Sequence, residues 1–362
     1  MRAFMNREDR RIAIGILVGI LLIAAIYFFV YRDRGADGSL WPRGRVDAES
    51  GRRPVMGTFA RVVAVSSDIE KSRRCVEAAF EQLEMVDGLM SDYKAESELS
   101  RVNREAYGQG VEVSEELFEV LQRSIAFSRE SEGAFDVTVG PLVDMFREAE
   151  REGIVLSEAE IAKVRERVGF EKLKLDVGVR TVEFGVEGMR LDLGGIAKGY
   201  GIDRAVGAMQ ESGAIGGMVD VGGDIRVFGS PPAGRERWFV GLQDPASAEE
   251  GGIGGACLFY LALIDGAVVT SGDYQRFFLI GGKKYSHIID ARAVAESDEL
   301  SSVTVIAEEA MEADGLATAV SVMGIKRGLE LIEGRAGVEA ILVSSGPEFK
   351  VMRSSGARRF IE

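Results

Sequence analysis

Apolar residues recur at helical spacing in the first part of the chain. Within residues 69–90 they form one continuous face, which predicts a long amphipathic helix whose apolar positions are Val76, Phe80, Leu83, Val86 and Met90. Ser114 followed by two glutamates is typical of a helix N-terminus, so a second helix is predicted to run to about residue 131. A third helix is predicted over residues 157–168.

After residue 172 the pattern changes to short apolar runs separated by glycines or charged residues, which is typical of β-strands. Hairpin turns are predicted at Asp265-Gly266 and Gly281-Gly282, because such dipeptides suit tight turns. Strands outnumber helices and both are plentiful, so the sequence predicts an α+β or mixed α/β fold. The later helices are expected at residues 197–212, 308–323 and 326–333, and the strands at 57–66, 172–176, 179–184, 190–193, 218–221, 225–228, 238–242, 257–264, 268–271, 277–280, 284–289, 302–307 and 338–344.

The N-terminal part contains an uncharged run of 20 residues, 12–31. This is about the length that a helix needs to cross a bilayer. No cleavage site follows closely and no cysteine follows it, so we expect an uncleaved anchor with the N-terminus in the cytoplasm. The expected organisation is a cytoplasmic segment (1–11), a transmembrane anchor (12–31), a linker (32–53) and one folded domain (54–362).

Composition and charge narrow the classes of function. The net charge is −14, which argues against nucleic acid as a partner, because proteins that bind it usually present a basic face. The chain has a single histidine, His287, and two cysteines, so a zinc site of His and Cys ligands is not expected. Cys75 and Cys257 are expected to be small core residues, and a disulfide between them stays open.

The segment from Met189 to Ala205 has the features of an anion site. An apolar run with Asp192 ends at Gly194-Gly195, and Lys198 lies in the first turn of the helix predicted next. Glycines allow close approach to an anion, and the free N–H groups of a helix start point at it. The segment matches neither a Walker loop nor a dinucleotide fingerprint. A second interpretation, in which glycine only relieves crowding in a strand-to-helix turn, stays open.

Asp314 and Thr318 are four residues apart in a predicted helix, so they lie on one face among small apolar neighbours. A buried carboxylate needs a partner, and Mg²⁺ with oxygen ligands is one. The alternative is that Asp314 pairs locally and Thr318 bonds the preceding turn.

Asp136, in the segment Gly133–Pro141, either binds a ligand or sets the turn. His287 lies in an apolar strand, where a lone histidine is more often a hydrogen-bonded core residue than a catalyst. Its ordinary pKa of about 6.5 nevertheless suits proton transfer. The segment Thr270–Tyr274 ends a strand in small polar residues, as pocket rims often do. No Gly-x-Ser-x-Gly turn occurs, so a nucleophilic hydrolase has little support.

The order of these motifs resembles that of the FAD:protein FMN transferase (ApbE-like) family. The resemblance covers almost everything from Pro54 to Val343. It is made by residues 56–58, 90–103, 133–141, 191–205, 219–225, 240–245, 270–274, 285–290 and 302–318.

This resemblance implies an α+β fold with mixed sheets, preceded here by one transmembrane helix. It implies transfer of FMN from the substrate FAD to a Ser or Thr of a target protein, with Mg²⁺ as cofactor and AMP as product. The residues matched to the flavin part of FAD are Met56, Tyr93, Ala134, Phe135 and Asp136. Those matched to the rest of the dinucleotide are Asp192, Lys198, His287 and Ile288, and those matched to the metal are Gly195, Asp314 and Thr318.

The resemblance also implies roles for side chains in the reaction and a location for the protein in the cell. Lys198 and Mg²⁺ would neutralise charge on the pyrophosphate, and His287 is the candidate general base, with Asp273 or Asp290 as alternatives. Family members commonly sit on the outer face of a bacterial cytoplasmic membrane. We therefore expect a single-pass inner-membrane protein whose catalytic domain is periplasmic, acting on a membrane electron-transfer subunit.

Two other functions stay open at this point: an Mg²⁺-dependent FAD pyrophosphatase that forms FMN and AMP, and a non-catalytic FAD-binding membrane protein. One departure from the family lies beside His287. Where the family continues with a Pro and a Thr-Gly turn, this chain has Ala291 to Ala295, so a differently shaped loop is expected.

Overall fold

The computed structural model describes residues 45–245, 256–272, 277–292, 299–346 and 349–362. The predicted cytoplasmic segment and transmembrane anchor lie outside the described residues. Within the described ranges, no helix is both long and apolar enough to cross a membrane.

The described strands form one large sheet and three small ones. The strands are β1 (Val46–Val55), β2 (Thr58–Ser66), β3 (Val111–Glu112), β4 (Leu173–Asp176), β5 (Thr181–Phe184), β6 (Gly216–Val221), β7 (Asp224–Gly229), β8 (Trp238–Gln243), β9 (Cys257–Leu263), β10 (Gly266–Gly272), β11 (Phe277–Ile280), β12 (Lys283–Ser286), β13 (Leu300–Ala307), β14 (Glu339–Ser344) and β15 (Val351–Arg353). The large sheet has eight strands in the order β1-β2-β6-β7-β10-β13-β14-β15. The small sheets pair β8 with β9, β11 with β12, and β5 with both β3 and β4.

The helices pack mainly on one face of the large sheet. They are α1 (Ile69–Met90), α2 (Glu98–Glu105), α3 (Glu115–Glu130), α4 (Gly140–Glu152), α5 (Glu158–Arg165), α6 (Ala197–Glu211) and α7 (Ala310–Glu333). The apolar faces of α1, α6 and α7 meet the inner face of the sheet in the main core. Within α7, Gly324 has φ 78° and ψ −176°, so the helix is broken there, as the two separate apolar patterns predict.

The opposite face of the large sheet is covered by β8 and β9. Trp238, Val240 and Leu261 pack on apolar residues of the sheet in a second core. The predicted hairpin at Asp265-Gly266 is wrong, because β9 pairs with β8 while β10 pairs with β7 and β13. The chain therefore crosses from one sheet to another at this dipeptide. The predicted hairpin at Gly281-Gly282 is confirmed as the turn between β11 and β12.

A third apolar cluster joins α4, α5 and the β11–β12 hairpin. The ring of Phe146 on α4 lies 5.8 Å from that of Phe278 and 5.4 Å from that of Tyr285. This packing fixes the hairpin whose end leads directly into His287.

Four expectations need correction. The α+β class holds, but each pairing of the named strands is antiparallel rather than mixed. Residues 46–53 of the predicted linker belong to β1, because β1 pairs with β2 from Val46 onwards. Residues 190–193 form a single bridge to Val139 instead of a strand. The polar residues 91–110, for which the sequence predicts a loop, contain a helix, α2, capped by Ser97.

Candidate functional site

The glycine turn before α6 is fixed by hydrogen bonds from three directions. The backbone N–H of Asp192 donates to the carbonyl of Val137 at 2.8 Å, and its Oδ1 accepts from the N–H of Gly194 at 2.8 Å. The side-chain amide of Asn103 exchanges two hydrogen bonds with the backbone of Leu191, at 3.0 and 2.7 Å. The backbone groups of Leu191 and Asp192 are thus paired by Asn103 of α2 and by the carbonyl of Val137, as a neighbouring strand would pair them.

Helices α6 and α7 approach closely beside this turn. A Cβ on Gly199 would lie 2.3 Å from the carbonyl oxygen of Ala310, and one on Gly195 would lie 2.8 Å from Oγ1 of Thr318. The N–H of Gly199 donates to Oδ2 of Asp314 at 3.0 Å. The residues predicted as metal ligands, Gly195, Asp314 and Thr318, are therefore brought together, although Gly195 is more than a hundred residues from the other two in the chain.

The charges around Asp314 are buried and strongly coupled. Lys198 forms an ion pair with Asp224, which is itself buried on β7 and accepts from the N–H of Thr270 at 3.2 Å. Asp314 is only 2% exposed. The pKa of Asp314 is raised to about 6, mainly by burial; the carboxylates of Asp224 and Asp203 also raise it, and Lys198 lowers it. An added positive charge at this place would stabilise the carboxylate form.

Asp203 on α6 fixes the start of α7. Its carboxylate accepts from the N–H groups of Ala310 and Met311, both at 2.8 Å, and from Arg226 at 2.5 Å. It therefore acts as the N-cap that α7 lacks within its own sequence. Neither Asp203 nor Asp224 was expected from the sequence, since each acts through residues that are distant in the chain.

The turn between β1 and β2 contributes Met56 and Gly57. Both have positive φ, 51° and 68°, as a two-residue hairpin turn requires, and for Met56 this conformation is uncommon. The Sδ of Met56 lies 3.0 Å from the position that a Cβ on Gly201 would take, so the turn sits against α6. Tyr93, 59% exposed, lies beside Gly57 and donates from its hydroxyl to Asp87 at 2.6 Å.

The turn at residues 133–138 is built mainly from buried groups. Ala134 and Phe135 are buried, and the Phe135 ring makes an edge contact with Phe127 at 5.8 Å. Asp136 accepts at Oδ1 from the N–H and hydroxyl of Thr138, at 2.8 and 2.7 Å, and at Oδ2 from the N–H of Phe170 at 2.9 Å. Asp136 therefore sets the turn, because three donors within the protein already engage its carboxylate.

His287 and Ile288 follow β12, and the N–H of Ile288 donates to Oγ of Ser286 at 3.1 Å. Both oxygens of Asp290 accept from the guanidinium of Arg292, at 2.9 and 3.1 Å, which makes Asp290 a poor candidate base. The side chain of Arg292 also lies against Gly133, 3.7 Å from the position that a Cβ would take. The altered loop thus begins in contact with the 133–138 turn. Asp273, the other candidate base, lies outside the described residues.

The described part of the chain contains no group of three or more His, Cys, Asp or Glu side chains placed to hold a metal ion. An Mg²⁺ site needs fewer, because this ion is commonly held by one or two carboxylates together with waters and substrate phosphates. Both cysteines are free, Cys75 buried as expected and Cys257 exposed, contrary to expectation.

A separate cavity of about 560 Å³ lies over the outer face of α6, between α1, α3 and the start of α7. Gln82, Tyr200 and Glu309 are among its lining residues. None of the residues predicted to bind flavin or metal lines it.

The chain is similar to known proteins over most of its length. The ApbE family model matches residues 56–342. The FAD:protein FMN transferase of Vibrio cholerae is 32% identical over 85% of this chain and 91% of its own, and that of Treponema pallidum is 31% identical over 88% and 90%. The crystal structure of the ApbE protein from Thermotoga maritima is 31% identical, with a TM-score of 0.77 over 88% of this chain and all of its own. This chain belongs to the ApbE family of flavin transferases and is an enzyme.

Proposed function

We propose that this enzyme transfers FMN from FAD to a Ser or Thr hydroxyl of a target protein, in an Mg²⁺-dependent reaction that releases AMP. The observation that supports this best is the meeting of the 192–198 turn with Asp314 and Thr318 of α7. It gathers a lysine, a buried carboxylate, a hydroxyl and a glycine turn at the place where the family resemblance expects pyrophosphate and metal.

The donor set fits Mg²⁺. Asp314 supplies a carboxylate whose burial is unfavourable without added positive charge, and Thr318 supplies a hydroxyl that lies against Gly195. The family resemblance matches the backbone carbonyl of Gly195 to the third ligand. All three are the hard oxygen ligands that this ion prefers. When bound, Mg²⁺ would neutralise charge that develops on the pyrophosphate during transfer.

The side chains of the protein have separate roles in the proposed reaction. Lys198, held by Asp224, places a positive charge beside the pyrophosphate. His287 takes the proton of the target hydroxyl as its oxygen attacks the phosphorus on the FMN side, with Asp273 as the alternative base. The bond from that phosphorus to the bridging oxygen breaks, and this oxygen leaves with AMP. The new bond joins FMN to the side-chain oxygen of the target.

The test uses the full chain in detergent with FAD, Mg²⁺ and a peptide that contains one Thr, taken from a membrane electron-transfer subunit. We expect covalent flavin on the peptide and an equal amount of AMP, with no product on a matched Val peptide or with a chelator. FMN released at the same rate without peptide would instead indicate a pyrophosphatase. FAD that binds and stays intact would indicate a binding protein.

We also propose that residues 12–31 anchor the enzyme in the inner membrane with the catalytic domain on the periplasmic side. The support is the length of the apolar run. The exposed thiol of Cys257 provides the test, since Cys75 is buried. A maleimide that cannot cross the inner membrane should label intact spheroplasts, and labelling should disappear in Cys257→Ser. Labelling only after lysis would place the domain in the cytoplasm.

A further inference from the structure

Five charged side chains form a cluster at one edge of the candidate site. Arg147 on α4 donates to Asp92 at 2.7 Å and lies 3.9 Å from both Asp144 and Asp192. Arg190 lies 3.0 Å from Asp144 and 3.8 Å from Asp92. Three carboxylates thus share two guanidinium groups, and Asp92 and Arg147 are the members in closest contact.

The cluster joins three segments that the family resemblance matches to FAD. Asp92 precedes Tyr93, α4 follows the 134–136 turn, and Asp192 begins the glycine turn that leads to Lys198. The resemblance does not match Arg147 to any function. Its guanidinium nevertheless lies between the loop of Asp92 and the carboxylate of Asp192, so it links two of the three segments directly.

Asp192 depends on this link because its own partners are few. Its Oδ1 accepts from the N–H of Gly194, while its Oδ2 faces Arg147. Burial raises the pKa of Asp192, Asp92 raises it further, and Arg147 and Arg190 lower it. If the charge of Arg147 is removed, Asp92 still opposes ionisation of Asp192, and of the two arginines only Arg190 remains to favour it.

We propose that Arg147 is a positioning residue that holds Asp192 charged and oriented toward the bound dinucleotide. This inference rests on the proposed function and on the family resemblance, which matches Asp192 to the dinucleotide. A charged Asp192 would accept a hydrogen bond from a hydroxyl or N–H group of FAD. Arg147 acts through Asp192 and through the loop of Asp92, and it takes no part in the transfer of the phosphoryl group.

If Arg147 had a purely structural role, its replacement would change FAD binding with a different pH dependence. Helix α4 is also held by Phe146 in the third apolar cluster and by the Arg190–Asp144 pair, so the helix is expected to stay in place without Arg147. A structural defect would weaken FAD binding at every pH. The loss of charge on Asp192 weakens it mainly at low pH, where a carboxylate of raised pKa takes up a proton.

The experiment measures the Kd of the full chain for FAD by quenching of flavin fluorescence between pH 5.5 and 8.5, together with kcat and KM. The variants are Arg147→Gln, Arg147→Lys and a control, Arg151→Gln. Arg151 lies on the same helix, is 72% exposed and pairs only with Glu148 and Glu152 among the described residues.

We expect Arg147→Gln to raise the Kd and KM for FAD about 5- to 10-fold at low pH and less at high pH, with kcat within about twofold, as for the loss of one partly exposed ion pair. Arg147→Lys should recover most of the affinity, and Arg151→Gln should match the wild type. A Kd for Arg147→Gln equal to that of Arg151→Gln, or a loss that is constant with pH and not rescued by lysine, overturns the inference alone. A wild type that does not bind FAD overturns the proposed function and the inference together.

Discussion

The contact between α6 and α7 at Gly199 provides the most direct test of the site geometry. A Cβ at this position would lie 2.3 Å from the carbonyl oxygen of Ala310 and 2.6 Å from the Cα of Met311. Both are backbone atoms, so no side-chain rotation can relieve the overlap. A carbon normally stays at least about 3.3 Å from a carbonyl oxygen, so Gly199→Ala has to separate the two helices by about 1 Å.

Two opposing effects determine the stability of Gly199→Ala. Alanine in place of glycine within a helix is favourable by about 0.5–1 kcal/mol. Overpacking of a buried contact costs about 1–3 kcal/mol, and the hydrogen bond from the N–H of residue 199 to Asp314 is stretched as well. We therefore expect a net loss of about 1–2 kcal/mol in the free energy of unfolding.

The effect on activity should be larger than the effect on stability. Asp314 is one helical turn beyond Ala310, so a shift of α7 moves this carboxylate away from Gly195 and Lys198. Displacement of an active-site group by about 1 Å can lower turnover about 100-fold. The assay combines unfolding in urea with the rate of FMN transfer as a function of Mg²⁺ concentration.

Gly207→Ala is the matched control. Gly207 lies on the outer face of the same helix, where it lines the separate cavity, and a Cβ there meets nothing within 4 Å. This change should stabilise the protein by about 0.5–1 kcal/mol and leave the rate unchanged. If Gly199→Ala behaves like Gly207→Ala in both assays, then the close contact between α6 and α7 at Gly199 does not determine the geometry of the site.

Four further changes test other groups. Asp314→Ala should abolish turnover, because the main anchor of Mg²⁺ is removed; wild-type rates at limiting Mg²⁺ would contradict the metal assignment. His287→Ala should lower kcat more than it weakens FAD binding, measured by fluorescence quenching; equal losses would leave it a binding residue. Asp203→Ala should lower the free energy of unfolding by about 1–3 kcal/mol in urea titrations, because it uncaps α7, and an unchanged midpoint would exclude that role. Burial raises the pKa of Asp136 above 3.8, so folding favours its protonated form and the free energy of unfolding should fall as pH rises from about 4 through the raised pKa. That fall should be smaller in a pH series on Asp136→Asn, where other carboxylates of raised pKa such as Asp314 still contribute, and an equal slope in both proteins would contradict it.

The sequence determined the elements whose signals are local. The apolar face over residues 69–90 predicts α1 with its observed bounds, and Ser114 caps α3 as its neighbours indicate. The turn at Gly281-Gly282 and the break of α7 at Gly324 were likewise readable, because glycine relieves a conformational restriction that involves only adjacent residues. The ordered motifs also predicted the family, since they preserve residue types at fixed spacing.

The tertiary structure determined which strands pair and which apolar residues are buried. Asp265-Gly266 has the composition of a hairpin turn, yet β9 pairs with β8, because covering the outer face of the large sheet buries apolar residues of both strands. Cys257 belongs to an apolar run but is exposed, since burial depends on which face a partner covers.

The same distinction applies to the candidate site. The sequence identified Lys198, Asp314 and Thr318, but only the fold brings them together. It also adds Asp224 as the partner of Lys198 and Asp203 as the cap of α7. A carboxylate interacts through space over a few ångströms, without regard to separation along the chain. The residue types could therefore be predicted from local pattern, whereas their charges, partners and accessibility depend on the packing of α6, α7 and the large sheet.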